Sequence, residues 1–172
     1  MTILTIRQTT SEDDLAVADI ERFATAELRK VYRPTAAASA KRSTLAPDLT
    51  GLVALLDGRA VGAVRYRVAE GRLSLLGLGV HPDFRRRGIA AALGQHLEAI
   101  GADSDCAFVS LYTVRETGNV AIFERMGFAV ESEGPTDLFE SPLGLALTEV
   151  FMTKAIVSPQ CAAPRAPSGA DV

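Results

Sequence analysis

One stretch of the sequence, Leu78–Ala90, restricts the fold more than any other. An apolar strand pattern here passes through a basic turn directly into a helix pattern. From Ile89 onward, apolar residues recur every three to four positions and mark one buried helical face. The first amides of a helix lack intrahelical acceptors and carry partial positive charge, and Gly88 leaves them open to a ligand. The stretch therefore predicts a backbone site for an anion such as phosphate.

Two better-known phosphate motifs are absent. No Gly-x-x-x-x-Gly-Lys-Ser/Thr segment occurs, and Gly77-Leu78-Gly79 lacks the third glycine that a dinucleotide fingerprint needs at position 82. The alternative interpretation of Arg85–Arg87 is a solvated basic turn before an ordinary helix.

The remaining patterns predict a mixed α/β fold. A first strand over residues 3–8 is followed by a helix that Ser11–Asp14 would cap and that continues to about Lys30. The turns Asp57-Gly58 and Glu70-Gly71 make residues 50–80 an antiparallel meander. Beyond the helix at Ile89 the patterns indicate strands over 107–114, 128–131 and 145–156, and a short helix over 119–126.

Two internal segments and the C-terminal segment are less regular. Residues 31–48 are either a second short helix or a mobile loop, and residues 133–144 are expected to form a loop near the substrate. From Val157 the composition is rich in Pro, Ala, Ser and Gly, which predicts a disordered tail over 157–172 after a single domain over 1–156.

Composition narrows the class of partner. The net charge of −3 provides no general basic field, so we expect no nucleic-acid partner. The N-terminus has no signal-peptide pattern, and no run of eighteen apolar residues occurs, so we expect no membrane association and a cytoplasmic location.

Two motifs carry a resemblance to a known family. Arg85-x-x-Gly88-x-Ala90, with its lead-in Val80–Phe84, is similar to the Gln/Arg-x-x-Gly-x-Gly/Ala signature of the GNAT superfamily of N-acetyltransferases. Downstream, Gly118–Phe128 resembles that family's Asn…Tyr-Glu-Lys/Arg-Leu/Met-Gly-Phe segment. The resemblance implies a GNAT-like α/β fold of about seven strands and four helices, with strands four and five splayed apart. It also implies acetyl-CoA as co-substrate.

The resemblance also assigns roles. The pyrophosphate is expected on the backbone amides that begin at Arg85, and the pantetheine arm along the preceding strand. Asn119 is expected to form a further hydrogen bond with the pantetheine arm. The alternative role for Asn119 is to cap the following helix. The implied cofactor-binding residues are Leu78, Gly79, Val80, Arg85, Arg86, Arg87, Gly88, Ile89, Ala90, Ala91, Asn119 and Phe123. No metal site is implied.

Phe123 departs from the family pattern. The family commonly has tyrosine there, proposed to protonate the leaving thiolate, and phenylalanine has no proton to give. The strand over 73–80 also lacks the carboxylate that often serves as base. Tyr112 and Glu116 are the remaining catalytic candidates, with Ser110 or Thr113 as residues that could order a water molecule.

These departures leave two functions open. The first is direct acetyl transfer to the primary amine of a small molecule or peptide within a ternary complex. The second is a CoA-binding or sensing domain with impaired catalysis. Homodimerisation, common in the family, is a further expectation from the resemblance.

Overall fold

The computed structural model describes residues 3–39 and 49–157. The strands are β1 (Leu4–Gln8), β2 (Arg33–Pro34), β3 (Thr50–Leu56), β4 (Arg59–Ala69), β5 (Arg72–Val80), β6 (Phe108–Val114), β7 (Ala129–Pro135), β8 (Phe139–Glu140) and β9 (Thr148–Ala155). The helices are α1 (Asp14–Arg29), α2 (Ile89–Asp103) and α3 (Asn119–Arg125), and residues 36–39 are also helical. Short 3-10 turns cover Ser11–Asp13, Pro82–Phe84 and Arg115–Thr117.

Seven strands form one mixed sheet in the order β1-β3-β4-β5-β6-β9-β7. Every neighbouring pair in this sheet is antiparallel except β5 and β6, which are parallel and joined through α2. This arrangement confirms the predicted α/β class and the antiparallel meander over β3, β4 and β5. The sequence patterns did not predict that β9 lies between β6 and β7.

The parallel strands β5 and β6 separate after a short contact. Arg72–Ser74 pairs with Phe108–Ser110, and no pairing between the two strands continues beyond Ser74. On its other side β5 carries a bulge, because Arg65 pairs with Gly77 while Tyr66 pairs with Leu75. Within the described ranges, one edge of β5 consequently has no strand partner from residue 75 to residue 80, which confirms the predicted splay.

The two faces of the sheet are covered by different helices. The larger core packs α2 and α3 on one face, where Ile89, Leu93 and Leu97 are at most 2% exposed. This is the apolar face predicted for α2. A smaller cluster, with Ile20 at its centre, packs α1 on the opposite face. Burial of these side chains is the main source of stability, at roughly 25 cal/mol per Å² of apolar surface.

Two predicted segment boundaries were wrong. The segment expected to be a loop over 133–144 contains the end of β7 and the whole of β8, and the strand expected over 145–156 begins only at Thr148. Arg33–Pro34 pairs with Phe139–Glu140 as a separate two-stranded sheet, closed by an ion pair of 2.7 Å from Arg33 to Glu140. Pairing with a distant segment created these strands, and such partners leave no periodic signal. Residues 40–48 and the tail from 158 lie outside the described residues.

The start of α1 also differs from the expected cap. Asp13, not Ser11, organises the turn: its carboxylate accepts hydrogen bonds from the Thr10 backbone N–H at 2.7 Å and the Thr10 hydroxyl at 3.1 Å. Both terminal nitrogens of Arg7 also donate to this carboxylate, at 2.6 and 3.0 Å. The hydrogen bond from Arg7 and those from Thr10 lower the pKa of Asp13 to about 2.

We expect the Asp13→Asn variant to lose about 1–2 kcal/mol of unfolding free energy at pH 7. Because the pKa of Asp13 is lower in the folded than in the unfolded chain, its contribution is complete above about pH 4 and disappears as the pH falls toward 2. Urea unfolding at pH 7 and at pH 3 should therefore show a smaller difference between variant and wild type at the lower pH. Asp14→Asn, at the exposed neighbouring position, is the control. A difference between variant and wild type that is unchanged by pH would contradict the assignment.

No helix in the two described ranges is long and apolar enough to cross a membrane.

Candidate functional site

The turn between β5 and α2 is anchored by His81. Its backbone N–H donates to the Val61 carbonyl at 2.8 Å, and its Nδ1 accepts from the Asp83 N–H at 3.3 Å. The imidazole contacts two phenylalanine rings edge-on, Phe23 at 5.1 Å and Phe84 at 5.7 Å between centroids. His81 therefore has a structural role in holding the turn at the end of β5.

The N-terminus of α2 is open. Gly88 occupies the cap position with φ +77°, and a Cβ built there would meet nothing within 4 Å. The first backbone hydrogen bond into the helix runs from the Ala92 N–H to the Gly88 carbonyl at 2.9 Å, so the N–H groups of Ile89, Ala90 and Ala91 precede the helical ladder. No acidic residue lies in the first turn. Both features suit an anion.

The three arginines before Gly88 are all exposed but differ in their contacts. Arg85 donates from Nε to the Val80 carbonyl at 3.2 Å and ties the turn to the strand. Arg87 lies over the Phe84 ring, 5.3 Å from its centroid. Arg86 has a positive φ of 60°, and no hydrogen bond, ion pair or ring contact joins its side chain to other described residues. Arg86 is thus the arginine with the greatest freedom to meet a ligand.

The glycines of β5 have different surroundings. Gly79 is buried, and an added Cβ would lie 3.1 Å from the Ile20 side chain and 3.2 Å from Ala24, so this glycine lets α1 approach the sheet. Gly77 faces open space. The structure has a bulge at Leu76, directly before Gly77. Leu78 and Val80 pack against the larger core.

Asn119 does not cap α3. The cap position is Gly118, with φ +77°, and Asn119 is the first helical residue. Its backbone N–H donates to the Thr117 hydroxyl at 3.2 Å, while its half-buried side chain makes no hydrogen bond to other described residues. The capping alternative was therefore wrong.

Phe123 packs as a core aromatic. Its ring meets Phe128 edge-on at 5.7 Å and contacts the larger core. This is the packing expected at the position where the family commonly has tyrosine.

Tyr112 lies in β6, two residues beyond the last pairing with β5, and is 66% exposed. Because side chains alternate along a strand, it shares a face with Ser110 and points away from the buried Leu111. Its ring lies 4.7 Å from that of Phe151 and borders a shallow groove of about 130 Å³. The phenol is thus beside the gap between β5 and β6, on the face that carries α1.

Glu116 is already engaged in a structural contact. Its carboxylate accepts the Thr148 backbone N–H at 3.0 Å and so ties the 3-10 turn to the start of β9. Burial opposes ionisation, but hydrogen bonds from the Thr148 and Glu116 backbones keep the pKa of Glu116 below its usual value. A carboxylate in this state is a weaker base than a free glutamate.

Arg67 and Arg72 are not among the predicted site residues. Both are half-buried on the face that carries Ser74 and Ser110, and the Nε of each is buried without a hydrogen-bond partner in the part of the chain that the structure describes. An alternating strand pattern normally sends such arginines to solvent, so the sequence contained no signal that would have distinguished them.

Taken together, the fold and the site define a class. A mixed sheet opened between two parallel strands, with an exposed helix N-terminus at the opening, is an α/β fold with a free strand edge beside an anion-binding helix end. The model of the acetyltransferase (GNAT) family matches residues 15–128, and the chain belongs to this family.

Similar proteins agree with this assignment. An acetyltransferase of Pectobacterium atrosepticum is 45% identical over 76 residues, which cover 44% of this chain and 52% of that relative. The match thus spans about half the length of the curated relative.

Solved structures share the fold at low identity. A ribosomal-protein alanine N-acetyltransferase from Escherichia coli superposes with a TM-score of 0.68 at 20% identity, covering 94% of this chain and 99% of that one. A Bacillus anthracis protein described as a streptothricin acetyltransferase, solved in complex with acetyl coenzyme A, gives a TM-score of 0.65 at 11% identity, with coverage of 89% and 99%.

Proposed function

We propose that this protein is an acetyl-CoA-dependent N-acetyltransferase that transfers the acetyl group to a primary amine by direct attack in a ternary complex. The observation that carries the proposal is the open N-terminus of α2 beside the unpaired edge of β5. A diphosphate and an extended amide chain are the two chemical groups that these neighbouring features would bind.

The residues present fit this co-substrate. The backbone N–H groups of Gly88 through Ala91 would hold the pyrophosphate, with Arg85, Arg86 and Arg87 around it. Leu78, Gly79 and Val80 would offer the free backbone edge to the pantetheine amides, much as a strand adds to a sheet. Asn119 would donate or accept a further hydrogen bond, and Phe123 would supply an apolar wall. When bound, acetyl-CoA supplies an activated acetyl thioester.

The chain's own contribution to the reaction is then mainly positioning and polarisation. Backbone N–H groups at the free edge, near the bulge at Leu76, would stabilise negative charge on the thioester oxygen. Holding an amine against that carbon contributes to the rate without any side-chain acid or base. Of the two catalytic candidates we retain Tyr112 for proton transfer, because Glu116 is engaged with Thr148.

A second candidate function follows from Phe123 and from the absence of a carboxylate between residues 73 and 80. On this alternative the protein binds CoA as a sensor without turnover. Release of free thiol from acetyl-CoA in the presence of a panel of primary amines separates the two. Tight CoA binding without thiol release would favour the sensor.

The catalytic assignment predicts different effects for the two candidates. We expect Tyr112→Phe to lower kcat about 10- to 100-fold with little change in KM for acetyl-CoA, because it removes a proton donor and acceptor but keeps the ring. Glu116→Gln should change kcat less than threefold, since an amide oxygen can still accept the Thr148 N–H. Steady-state kinetics across pH 6–9 are the measurement. A large decrease in kcat for Glu116→Gln, together with a loss of the pH dependence of kcat, would make Glu116 rather than Tyr112 the group that transfers the proton.

Several finer points remain predictions. They are the cytoplasmic location, the homodimer, the acetyl rather than a longer acyl group, the single domain over 1–156, and the choice between a small-molecule and a peptide acceptor.

A further inference from the structure

We propose that Arg67 and Arg72, together with Ser74 and Ser110, bind the carboxylate of the acceptor, and that the acceptor is a small amino-carboxylate rather than a peptide N-terminus. This inference rests on the proposed acetyltransferase function and names the substrate class of that site. The four side chains lie on one face of the sheet.

The two arginines are exceptional in their surroundings. Three arginines of the described ranges are half-buried: Arg7, Arg67 and Arg72. Arg7 is neutralised by Asp13 at 2.6 Å. Arg67 and Arg72 make no ion pair or hydrogen bond with any other residue of the described ranges, and the Nε atom of each is buried. A buried donor without an acceptor costs about 1–3 kcal/mol, so its retention indicates an acceptor that arrives with a ligand.

The register places the four side chains together. Arg67 lies directly opposite Ser74 in the antiparallel pair of β4 and β5, and Ser74 lies opposite Ser110 in the parallel pair of β5 and β6. Arg72 is two residues from Ser74 on the same strand and therefore shares its face. The Ser74 and Ser110 hydroxyl oxygens are 3.4 Å apart. The result is a cationic patch beside two serine hydroxyls, of which Ser74 is half-buried and Ser110 is buried.

The chemistry of the patch suits a carboxylate. A guanidinium presents paired N–H donors that match the two oxygens of a carboxylate, and the serine hydroxyls can donate to the remaining lone pairs. The chain as a whole has a net charge of −3, so this local positive charge is not part of a general basic surface. An ammonium group alone would be repelled from the patch.

The position of the patch links it to the acetyl-transfer site. Ser74 and Ser110 form the last pair before β5 and β6 diverge, and the bulge at Leu76 follows two residues later. At about 3.3 Å per residue, the patch is about 7 Å from the bulge. A small molecule with an amine a few bonds from a carboxylate spans such a distance, whereas the N-terminal residue of a peptide has its α-carboxylate converted to an amide.

Nuclear magnetic resonance of the arginine Nε–H groups tests the proposal without turnover. The signals of Arg67 and Arg72 are assigned by their loss in Arg67→Met and Arg72→Met, and the protein with bound CoA is titrated with 4-aminobutyrate and separately with 4-aminobutyramide. We expect 4-aminobutyrate to shift both signals and 4-aminobutyramide to shift neither. Equal shifts with both probes, or no shift with 4-aminobutyrate, would overturn the proposal.

Kinetics supply a second arm. Among acceptors that are turned over, amino acids should have a KM at least tenfold below that of their amides, and Arg67→Met or Arg72→Met should abolish this preference with KM for acetyl-CoA unchanged. Arg22→Gln removes an equal charge from an exposed position on α1 and should retain the preference. Equal efficiency for acids and amides in the wild type would refute the inference while leaving the acetyltransferase function intact. Shifts specific to 4-aminobutyrate, without transfer to any amine, would support the carboxylate site and refute the acetyltransferase function.

A folding measurement excludes a trivial explanation for lost binding. Because each methionine variant removes an unpaired buried donor, we expect its Tm without ligand to equal or exceed that of wild type. A Tm lower by more than about 5 °C would show that the arginines stabilise the fold and would count against a ligand role.

Discussion

Replacing Gly88 with glutamate is expected to abolish CoA binding, with Kd raised at least about 100-fold, equivalent to about 2.7 kcal/mol. Three effects add together. A side chain at φ +77° is strained, a carboxylate repels the pyrophosphate, and its bulk covers the free N–H groups of Ile89 through Ala91. Because a Cβ at Gly88 meets nothing within 4 Å, the variant should still fold.

Isothermal titration with CoA is the measurement, supported by circular dichroism. Gly71→Glu is the matched control: Gly71 also has positive φ, at 69°, and also faces open space, but it lies in the turn between β4 and β5 at the opposite end of β5. We expect it to share the strain and to retain CoA binding. If Gly88→Glu binds CoA with a Kd within threefold of wild type, the assignment of the pyrophosphate to the N-terminus of α2 would be wrong.

The second large effect concerns stability. We expect Gly79→Val to lower the free energy of unfolding by about 2–3 kcal/mol, the range for overpacking a well-filled contact. The first added carbon would already lie 3.1 Å from the Ile20 side chain and 3.4 Å from the Ile20 carbonyl oxygen, and the further methyl groups would push α1 away from β5.

Urea unfolding of this variant is compared with Gly77→Val, two residues earlier in the same strand. Gly77 meets nothing within 4 Å, so its valine variant should stay within about 0.5 kcal/mol of wild type. Equal free energies of unfolding for Gly79→Val and Gly77→Val would contradict the close packing of α1 against Gly79.

Several elements of the fold and the site were predictable because their causes are local. The apolar spacing from Ile89 to Leu97 produced α2 with the predicted buried face. The Asp57-Gly58 turn produced the β3–β4 hairpin. Gly88 adopts the left-handed conformation that an open helix start requires. In each case the conformational preference of a few adjacent residues determines the structure.

Other features depend on partners far away in the chain. Arg33 and Glu140 meet because β2 pairs with β8. The Glu116 carboxylate accepts the Thr148 N–H, so the suitability of Glu116 as a base could not be judged from its position after a strand. Nothing in the sequence around Tyr112 indicated that its ring would lie beside the ring of Phe151. These contacts follow from the order of strands in the sheet.

The sequence by itself determined the family, the α/β class, the α2 anion site and the replacement of a proton-donating tyrosine by Phe123, because each depends on residue identity or local spacing. Only the tertiary structure decided which face each strand residue occupies and what lies beside it. It brought Arg67, Arg72, Ser74 and Ser110 together, with no ion pair to either arginine from another described residue. Periodicity along one strand says which residues share a face, whereas register between strands decides which side chains meet.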